Sequence, residues 1–395
     1  MLKTLKLNIA ALALGLLAAL PARSADEIVI GASLPLSGPL SGFGMYTRWG
    51  YEAAVADLNK AGGIVVDGRK LPVRLVVRDD KTDPNVTASN TETLIARDGV
   101  TAMLGSCTPA LANAGALAAE RRKVPLVTGC NPLMSFKAVR KWQYAWNLFF
   151  SEDDLAAASF HMLADYHVVT DKKVAILAEN APDGQMIGGT AWPANARAGG
   201  YDVVMKETYP IDSLQFGTMI NRAKLGAADV ALVMAIPPQA IAIRKQMASA
   251  SYFPKVLVME KGAEPEMFQR ALGNLAEGVL VGGYWDPSLP FPGAKDLARR
   301  FEAETHQTQS QHIADSYAAA QVLLDAIAAA ASTDREKINA AIGRTDKTYV
   351  VGPVKFDAEH TSRIPMMMMQ WQKGKAVVVW PKDRATGPLM FPLPQ

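Results

Sequence analysis

The sequence has 395 residues, of which 49% are hydrophobic and 20% are charged, so the chain can bury a sizeable core. The formal net charge of +3 falls to 0 once residues 1–24 are removed, because they contain Lys3, Lys6 and Arg23 and no acidic residue. A neutral chain without a cluster of basic and aromatic residues is not expected to bind nucleic acid, and two cysteines are too few for a disulfide-rich scaffold.

The first 24 residues have the pattern of an export signal. Two lysines precede an apolar run, Leu7–Leu20, and Ala22–Ser24 fits a cleavage site of small residues. We therefore predict cleavage after about Ser24 and a periplasmic product. No cysteine follows this site, so we expect no lipid anchor, and no later apolar run reaches the roughly 20 residues that a membrane span needs.

From Asp26 onward, strands and helices alternate, which predicts a doubly wound parallel sheet. The first strand, Ile28–Ile30, leads into Gly31–Gly44, a segment rich in glycine and proline that we interpret as a shaped loop before a helix from Met45 to Asn59. The first series continues with strands at 71–77, 100–105 and 124–128 and helices at 85–97 and 110–122.

A second series of the same kind follows Asn147, with helices at 153–166, 185–198, 213–224 and 239–250 and strands at 174–178, 201–207, 230–234 and 255–259. Two such series predict an α/β protein of two doubly wound parallel-sheet lobes. The last part contains a strand at 278–283, a proline-rich segment at 284–292, helices at 294–305, 314–331 and 335–342, and strands near 354–356, 366–372 and 376–380.

Polar turns follow two strands of the first lobe, at the sheet edge where α/β proteins bind ligands. They contain Ser106, Cys107, Thr108, Cys130 and Asn131. Their hydroxyl, amide and backbone N–H groups suit a carboxylate, and the loop Gly31–Gly44 comes to the same edge. Helix capping is the alternative for each turn by itself, because these residue types are common caps.

Cys107 and Cys130 occupy equivalent positions after neighbouring strands, and we predict a disulfide between them, which would close 22 intervening residues and contribute about 3 kcal/mol. A catalytic cysteine is the alternative. It would need a histidine base, and the histidines lie far away in sequence, with no paired motif and no metal-ligand spacing. We assign no catalytic residue, metal or cofactor, and expect exposed or half-buried positions for His161, His167, His306, His312 and His360.

Charged residues end strands of the second lobe, where they would face the first lobe across a gap. These residues are Asp183, Glu260 and Lys261. Lys261 would meet a ligand anion in a cleft where solvent screening is weak. Ordinary solvated loop charges are the alternative for each residue taken singly.

Several stretches of the chain resemble one family. They are Ile30–Pro39 followed by Phe43-Gly44, then Gly50–Gly63, Asp79-Asp80 with Asp83-Pro84, and Ala276–Leu280. Together with the export signal, they are similar to substrate-binding proteins of ABC transporters, of the branched-chain amino-acid (leucine/isoleucine/valine) binding type. The resemblance covers essentially the whole mature chain, and it is strong over residues 28–63 and thinner in the second lobe.

This resemblance implies the type I periplasmic binding fold, in which two α/β lobes joined by three hinge crossings enclose a ligand. The crossings would lie near Trp146-Asn147, Tyr284-Trp285 and Gly352-Pro353. The predicted organisation is therefore a signal peptide at 1–24, an N-terminal lobe of 25–146 and 286–352, and a C-terminal lobe of 147–285 and 353–395.

The resemblance also implies where a ligand would bind. The first lobe would hold a carboxylate at Cys107-Thr108 and Cys130-Asn131-Pro132, and Phe43 would supply an aromatic wall. The chain departs from the family pattern at Thr82, which stands in place of a disulfide cysteine, and at Asp183, which stands in place of a tyrosine that lines the cleft.

The family's acidic residue for the ligand ammonium falls at Glu260 or at Lys261, depending on a shift of one residue in the alignment. Lys261 at that position would disfavour an α-amino acid and allow a ligand with a second anionic group. Glu260 at that position, with Asp183 nearby, would be compatible with an amino acid as the ligand.

We therefore expect a monomeric, non-enzymatic receptor that delivers a small carboxylate, an amino acid or a related organic or aromatic acid, to an ABC permease in the inner membrane. Delivery would follow hinge closure around the ligand. A ligand-sensing receptor domain of the same fold that feeds a signalling partner is the first alternative, and an exported enzyme is the second.

Overall fold

The computed structural model describes residues 27–395, so the predicted signal peptide and its cleavage after Ser24 lie outside the described residues. The strands in chain order are β1 Ile28–Leu34, β2 Ile64–Val66, β3 Arg69–Leu71, β4 Val73–Asp79, β5 Ala102–Leu104, β6 Leu126–Thr128, β7 Ala145–Phe149, β8 Lys173–Glu179, β9 Asp202–Tyr209, β10 Val230–Ala235, β11 Val256–Lys261, β12 Leu280–Gly283, β13 Asp346–Tyr349, β14 Gly352–Lys355, β15 Thr361–Arg363, β16 Met367–Gln372 and β17 Lys375–Trp380.

The α-helices in chain order are α1 Ser41–Lys60, α2 Pro84–Ala96, α3 Pro109–Arg121, α4 Leu133–Lys137, α5 Glu152–Asp165, α6 Pro182–Met186, α7 Trp192–Ala198, α8 Gly217–Leu225, α9 Pro237–Ser249, α10 Glu266–Leu272, α11 Ala294–Thr305, α12 Gln311–Ala330 and α13 Arg335–Ile342. A π-helical turn, Ile187–Ala191, joins α6 to α7.

The first sheet has six strands in the order β15-β7-β6-β5-β1-β4, and each neighbouring pair is parallel. Helices α1 and α12 pack against each other beside this sheet, and α2 and α3 form a second packed pair. The segment His312–Ala330 of α12 is long and apolar enough to span a membrane by composition, but 67% of it is buried inside the protein. We therefore interpret α12 as the core helix of this first lobe.

The second sheet has seven strands in the order β17-β16-β12-β11-β10-β8-β9. The strands β8 to β12 pair in parallel, whereas β16 and β17 are antiparallel to their neighbours. The prediction of two α/β lobes is confirmed, but the second sheet is mixed. Strand β16 returns directly into β17 through a short turn, and such a turn can connect only antiparallel strands.

The chain crosses between the lobes at three places. Because β7 and β15 both pair within the first sheet, residues 147–149 and 361–363 group with the first lobe and not with the second, where the sequence analysis put them. We therefore propose crossings at 150–151, at 284–293 and at 364–366, which shifts the first crossing by a few residues and the third by about ten.

The loop after β1 is shorter than the sequence predicts. Strand β1 takes up Gly31–Leu34 and helix α1 takes up Ser41–Gly44, which leaves 35–40 as the connection. Gly38 alone of the glycines in this stretch has a left-handed backbone, with φ of 85°. Gly31 and Gly44 serve close packing instead: a Cβ on Gly31 would lie 2.9 Å from the sulfur of Met103, and one on Gly44 would overlap the carbonyl of Pro35.

The replacement Gly44→Ala is expected to lower the free energy of unfolding by about 2 kcal/mol, because the added methyl group meets backbone that must move. Gly42→Ala, in the same helix, is the matched control, since its Cβ meets nothing within 4 Å and alanine favours the helix by up to about 1 kcal/mol. Urea unfolding of both variants measures the difference. Equal stability of the two variants would contradict this packing role.

Candidate functional site

A cavity of about 60 Å³ lies between the two lobes, at the carboxyl ends of the parallel strands of both sheets. It has room for roughly five water molecules. The first lobe contributes Phe43, Cys107, Thr108, Pro109, Cys130, Pro132, Phe149, Gln311 and His312. The second lobe and the crossings contribute Phe150, Leu155, Asp183, Met234, Glu260, Lys261, Glu264, Gly282, Tyr284 and Met366. The structure thus brings together the predicted site residues except Ser106, whose hydroxyl donates to the Oδ2 of Asp80 at 2.9 Å, and Asn131.

The first-lobe wall is built on the ends of β5 and β6. A disulfide joins Cys107 to Cys130, with the two Cα atoms 4.8 Å apart, and the N–H of Thr108 donates to the carbonyl of Cys130. Thr108 directly precedes α3 and lines the cavity together with Pro109, the first residue of this helix, so the positive end of the helix dipole lies at the cavity although Pro109 has no N–H to offer. The two sulfur atoms lie close to His312, but metals bind thiolates, and the disulfide leaves no thiolate here.

Asn131 lies behind this wall and holds it in place. Its Nδ2 donates to the Oδ1 of Asn113 at 2.8 Å, and its carbonyl accepts from the Nδ2 of Asn147 at 2.5 Å. Its side chain is completely buried. The structure therefore gives Asn131 a role in fixing the turn after β6, and not the ligand contact that the sequence analysis assigned to it.

The second-lobe wall carries a buried cluster of one cation and two carboxylates. The Nζ of Lys261 lies 2.5 Å from the Oε1 of Glu179 and 2.9 Å from the Oδ2 of Asp183. Burial alone would lower the pKa of Lys261, but the two carboxylates raise it, so the lysine stays protonated. Burial raises the pKa of Glu179 and Lys261 opposes this. The positive charge of Lys261 is therefore compensated by protein carboxylates within the wall.

Glu260 lies beside this cluster and is also buried. Both of its carboxylate oxygens face the N–H of Gly282, at 3.0 and 2.9 Å. Burial raises the pKa of Glu260 to about 8, and the hydrogen bond from Gly282 only partly opposes this. At neutral pH the side chain is therefore mostly a neutral carboxylic acid. Both Glu260 and Lys261 line the cavity, and neither presents a free charge to it.

A third group, which the sequence analysis did not assign to the site, lies where α12 begins. The Nδ1 of His312 is 2.9 Å from the Oδ2 of Asp315 and 2.9 Å from the hydroxyl of Tyr284, which donates to the same carboxylate. Burial alone would lower the pKa of His312, but Asp315 and Glu264 raise it. Burial raises the pKa of Asp315 to about 6, against the opposing effect of His312. The two carboxylates thus favour the protonated form of the ring near the first-lobe wall.

The expectation that His312 is exposed or half-buried is wrong. The residue exposes 7% of its surface, and its Nδ1 lies 3.5 Å from the sulfur of Cys130 although 182 positions separate the two residues. One signal in the sequence points to it. Helix α12 is strongly apolar, yet Gln311, His312, Asp315 and Ser316 crowd its first two turns, and all four are buried.

The model of the periplasmic binding protein family matches residues 27–376. The chain belongs to this family. The Leu/Ile/Val-binding protein homolog 8 of Brucella abortus (strain 2308) is 26% identical over 382 residues, which cover 92% of this chain and 93% of that protein.

Two solved structures show the same type I fold. A leucine-binding protein, LivK, from Thermotoga maritima has a TM-score of 0.80 at 21% identity and covers 90% of this chain and 99% of its own. A solute-binding protein of an ABC transporter from R. palustris, in complex with benzoate, has a TM-score of 0.76 at 18% identity and covers 89% of this chain and 95% of its own. The family and these neighbours are substrate-binding proteins and not enzymes.

The buried acid of Glu260 predicts a pH effect on the stability of this periplasmic binding protein. The folded protein holds a proton, with a pKa of about 8, that the unfolded chain releases near 4.5. Between about pH 5 and pH 8 this group therefore destabilises the fold as pH rises, by up to about 1.4 kcal/mol per pH unit. Glu260→Gln removes that proton, so its free energy of unfolding relative to the wild type should increase with pH.

Urea unfolding of both proteins at intervals from pH 5 to pH 8 measures this difference. At pH 5 the two side chains are both neutral and serve as the reference. A difference in the free energy of unfolding between the two proteins that stays constant from pH 5 to pH 8 would contradict the assignment of a neutral Glu260.

Lys261→Met leaves Glu179 and Asp183 buried without their cation and is expected to cost about 3–5 kcal/mol at pH 7. Adding Glu179→Gln should recover part of this loss, because one unpaired carboxylate is then removed. Lys206→Met on the exposed side of β9 is the control and should stay within about 0.5 kcal/mol of the wild type. Chemical unfolding checks the order, and a Lys261 variant as stable as the Lys206 variant would refute the buried cluster.

Proposed function

We propose that this protein is a periplasmic receptor that binds a small carboxylic acid between its lobes and delivers it to an ABC importer. One observation carries the proposal: the cavity is walled on opposite sides by the strand ends of two separate sheets. A ligand in that position contacts both lobes at once. The export-signal pattern of residues 1–24 supports a periplasmic location, and we propose a monomer that meets its permease through the closed lobes.

The lining of the cavity supports a ligand with an apolar body. Aromatic and aliphatic side chains, Phe43, Phe149, Phe150, Leu155, Met234 and Met366, make up much of the wall. The positive end of the α3 dipole lies at Thr108, and Thr108 lines the cavity with a hydroxyl group that is able to donate to a carboxylate. These groups support binding of the carboxylate at the first lobe.

The second lobe favours an organic or aromatic acid over an α-amino acid. An ammonium group needs a free acceptor, but Glu260 is mostly protonated at neutral pH and the open oxygen of Glu264 faces the ring of His312. Asp183 and Glu179 are already paired with Lys261. The leucine-binding relative and the benzoate complex show that each of these ligand types occurs among proteins of this fold.

Contacts between the lobes support a closing movement. The carboxylate of Glu264, after β11, accepts from the hydroxyl of Ser310 at the start of α12. Glu266 accepts from the N–H of Thr308. Ile236 of the second lobe packs with Phe43 in a small apolar cluster next to the disulfide. A ligand that binds this closed form more tightly than an open form shifts the population towards closure.

A panel of carboxylates tests the proposal. Unfolding of the purified protein is measured with acetate, benzoate, 4-methylpentanoate, leucine and phenylalanine, with uncharged benzamide for comparison. A ligand present at 100 times its dissociation constant should stabilise the fold by about 2.7 kcal/mol. We expect at least one organic or aromatic acid to do so, and a flat response to every carboxylate would overturn the proposal.

Phe43→Ala should weaken binding of the best acid tenfold or more, because the ring forms part of the cavity wall. Phe268→Ala is the matched control: this ring is equally buried, in the second lobe, but lies away from the cavity. Both variants lose stability, so calorimetric affinities are measured on the folded proteins. Equal loss of affinity in both variants would contradict the placement of the ligand.

A further inference from the structure

A polar gap spans the cavity between His312 of the first lobe and Glu264 of the second. The Nε2 of His312 and the Oε2 of Glu264 are 3.8 Å apart, which is too long for a direct hydrogen bond. Both side chains are nine-tenths buried, with 9% and 8% of their surface exposed, and both line the cavity. The pair therefore faces the space that a ligand occupies.

Other contacts hold each partner in place on the side away from the gap. Asp315 and the hydroxyl of Tyr284 fix the Nδ1 side of His312. Ser310 donates to the Oε1 of Glu264 at 2.5 Å. Within residues 27–395, the Oε2 of Glu264 has no hydrogen-bond partner. A buried carboxylate oxygen without a donor costs free energy, so a hydrogen-bond donor from a ligand would stabilise this atom.

The chemistry of the gap selects one kind of group. The ring of His312 lies between two carboxylates, with Asp315 on its Nδ1 side and Glu264 on its Nε2 side, and this placement favours an N–H on both nitrogens, so the gap offers a donor on one side and an acceptor on the other. An oxygen atom can lie about 2.8 Å from both at this separation. A hydroxyl group accepts from Nε2 and donates to Oε2. An ammonium group only donates and would lie against the imidazolium, and a carboxylate oxygen only accepts and would face Glu264.

We propose that His312 and Glu264 form a subsite for a hydroxyl group of the ligand, so that the ligand is a hydroxylated carboxylic acid. This inference rests on the proposed function. Because the two residues come from opposite lobes, the hydroxyl also bridges the lobes in the closed form. An acid that lacks the hydroxyl leaves the oxygen of Glu264 without a donor and binds more weakly.

Two series of ligands that differ in one group test the subsite by calorimetry. The aliphatic series is 4-methylpentanoate, 2-hydroxy-4-methylpentanoate and leucine, which carry hydrogen, hydroxyl and ammonium at the same carbon. The aromatic series is benzoate, the three monohydroxybenzoates and the three aminomethylbenzoates. In at least one series we expect a hydroxylated member to bind tenfold or more tightly than both the parent and the ammonium member.

Glu264→Ala should reduce this hydroxyl preference to about one, because the acceptor is gone. Glu266→Ala is the matched control: Glu266 makes another contact between the lobes, to Thr308, and lies outside the cavity lining. This variant should keep the preference while losing a similar contact. The ratio of two affinities within one variant is insensitive to a general loss of stability.

Three results would overturn the inference while the proposed function stands: parent acids that bind as well as every hydroxylated acid, an ammonium member that binds best, or a hydroxyl preference that survives Glu264→Ala. Absence of binding by every carboxylate of both series would overturn the proposed function, and this inference with it.

Discussion

The site depends on one geometric constraint: two sheets of parallel strands end at the same gap. A parallel strand delivers its carboxyl end, and the turn that follows it, to one edge of its sheet. In this chain β5 and β6 deliver the turns at Cys107 and Cys130, and β8 and β11 deliver Asp183 and Lys261 from the other side. The cavity exists because the two edges face each other, and each wall is as rigid as the sheet behind it.

Most of the ionisable groups that line the cavity are already paired with another protein group or held neutral. Lys261 is compensated by two carboxylates, and Glu260 is held neutral by burial. Several buried oxygen atoms within residues 27–395 lack a hydrogen-bond partner, and among them the Oε2 of Glu264 faces His312 across the cavity. A low-polarity space with compensated walls and one open donor–acceptor pair suits a mostly apolar acid and gives a physical basis for choosing among such acids.

Much of this arrangement could be predicted from the sequence, because it follows from local patterns. Alternating strands and helices indicate the two lobes, and residues between a strand and the first turn of the next helix, such as Thr108 and Asp183, reach the cavity as expected. Asn131 shows the limit of that rule. A turn has an inner and an outer side, and residue type alone does not say which side a buried asparagine occupies.

The remaining part of the site was beyond sequence reasoning for a different reason. His312 and Tyr284 come from the start of a core helix and from a crossing segment, far along the chain from the strands they meet. No short spacing motif connects such residues. Their one local signal is a group of buried polar residues at the start of an otherwise apolar helix, which becomes meaningful once the helix is known to be in the core. The antiparallel pairing of β16 and β17 likewise follows from the short turn that connects them and not from their composition.

Hinge closure can be measured as a distance across the mouth of the cleft. Met45 on α1 and Met267 on α10 are both partly exposed and line the same groove between the lobes. Spin labels on cysteines introduced at these two positions report the separation of the lobes by pulsed dipolar spectroscopy. If the lobes close around the ligand, the distance between the labels should be longer, or distributed in two peaks, without ligand. It should become a single short distance when an acid is bound. A distance distribution that does not change with an acid that calorimetry shows to bind would contradict hinge closure.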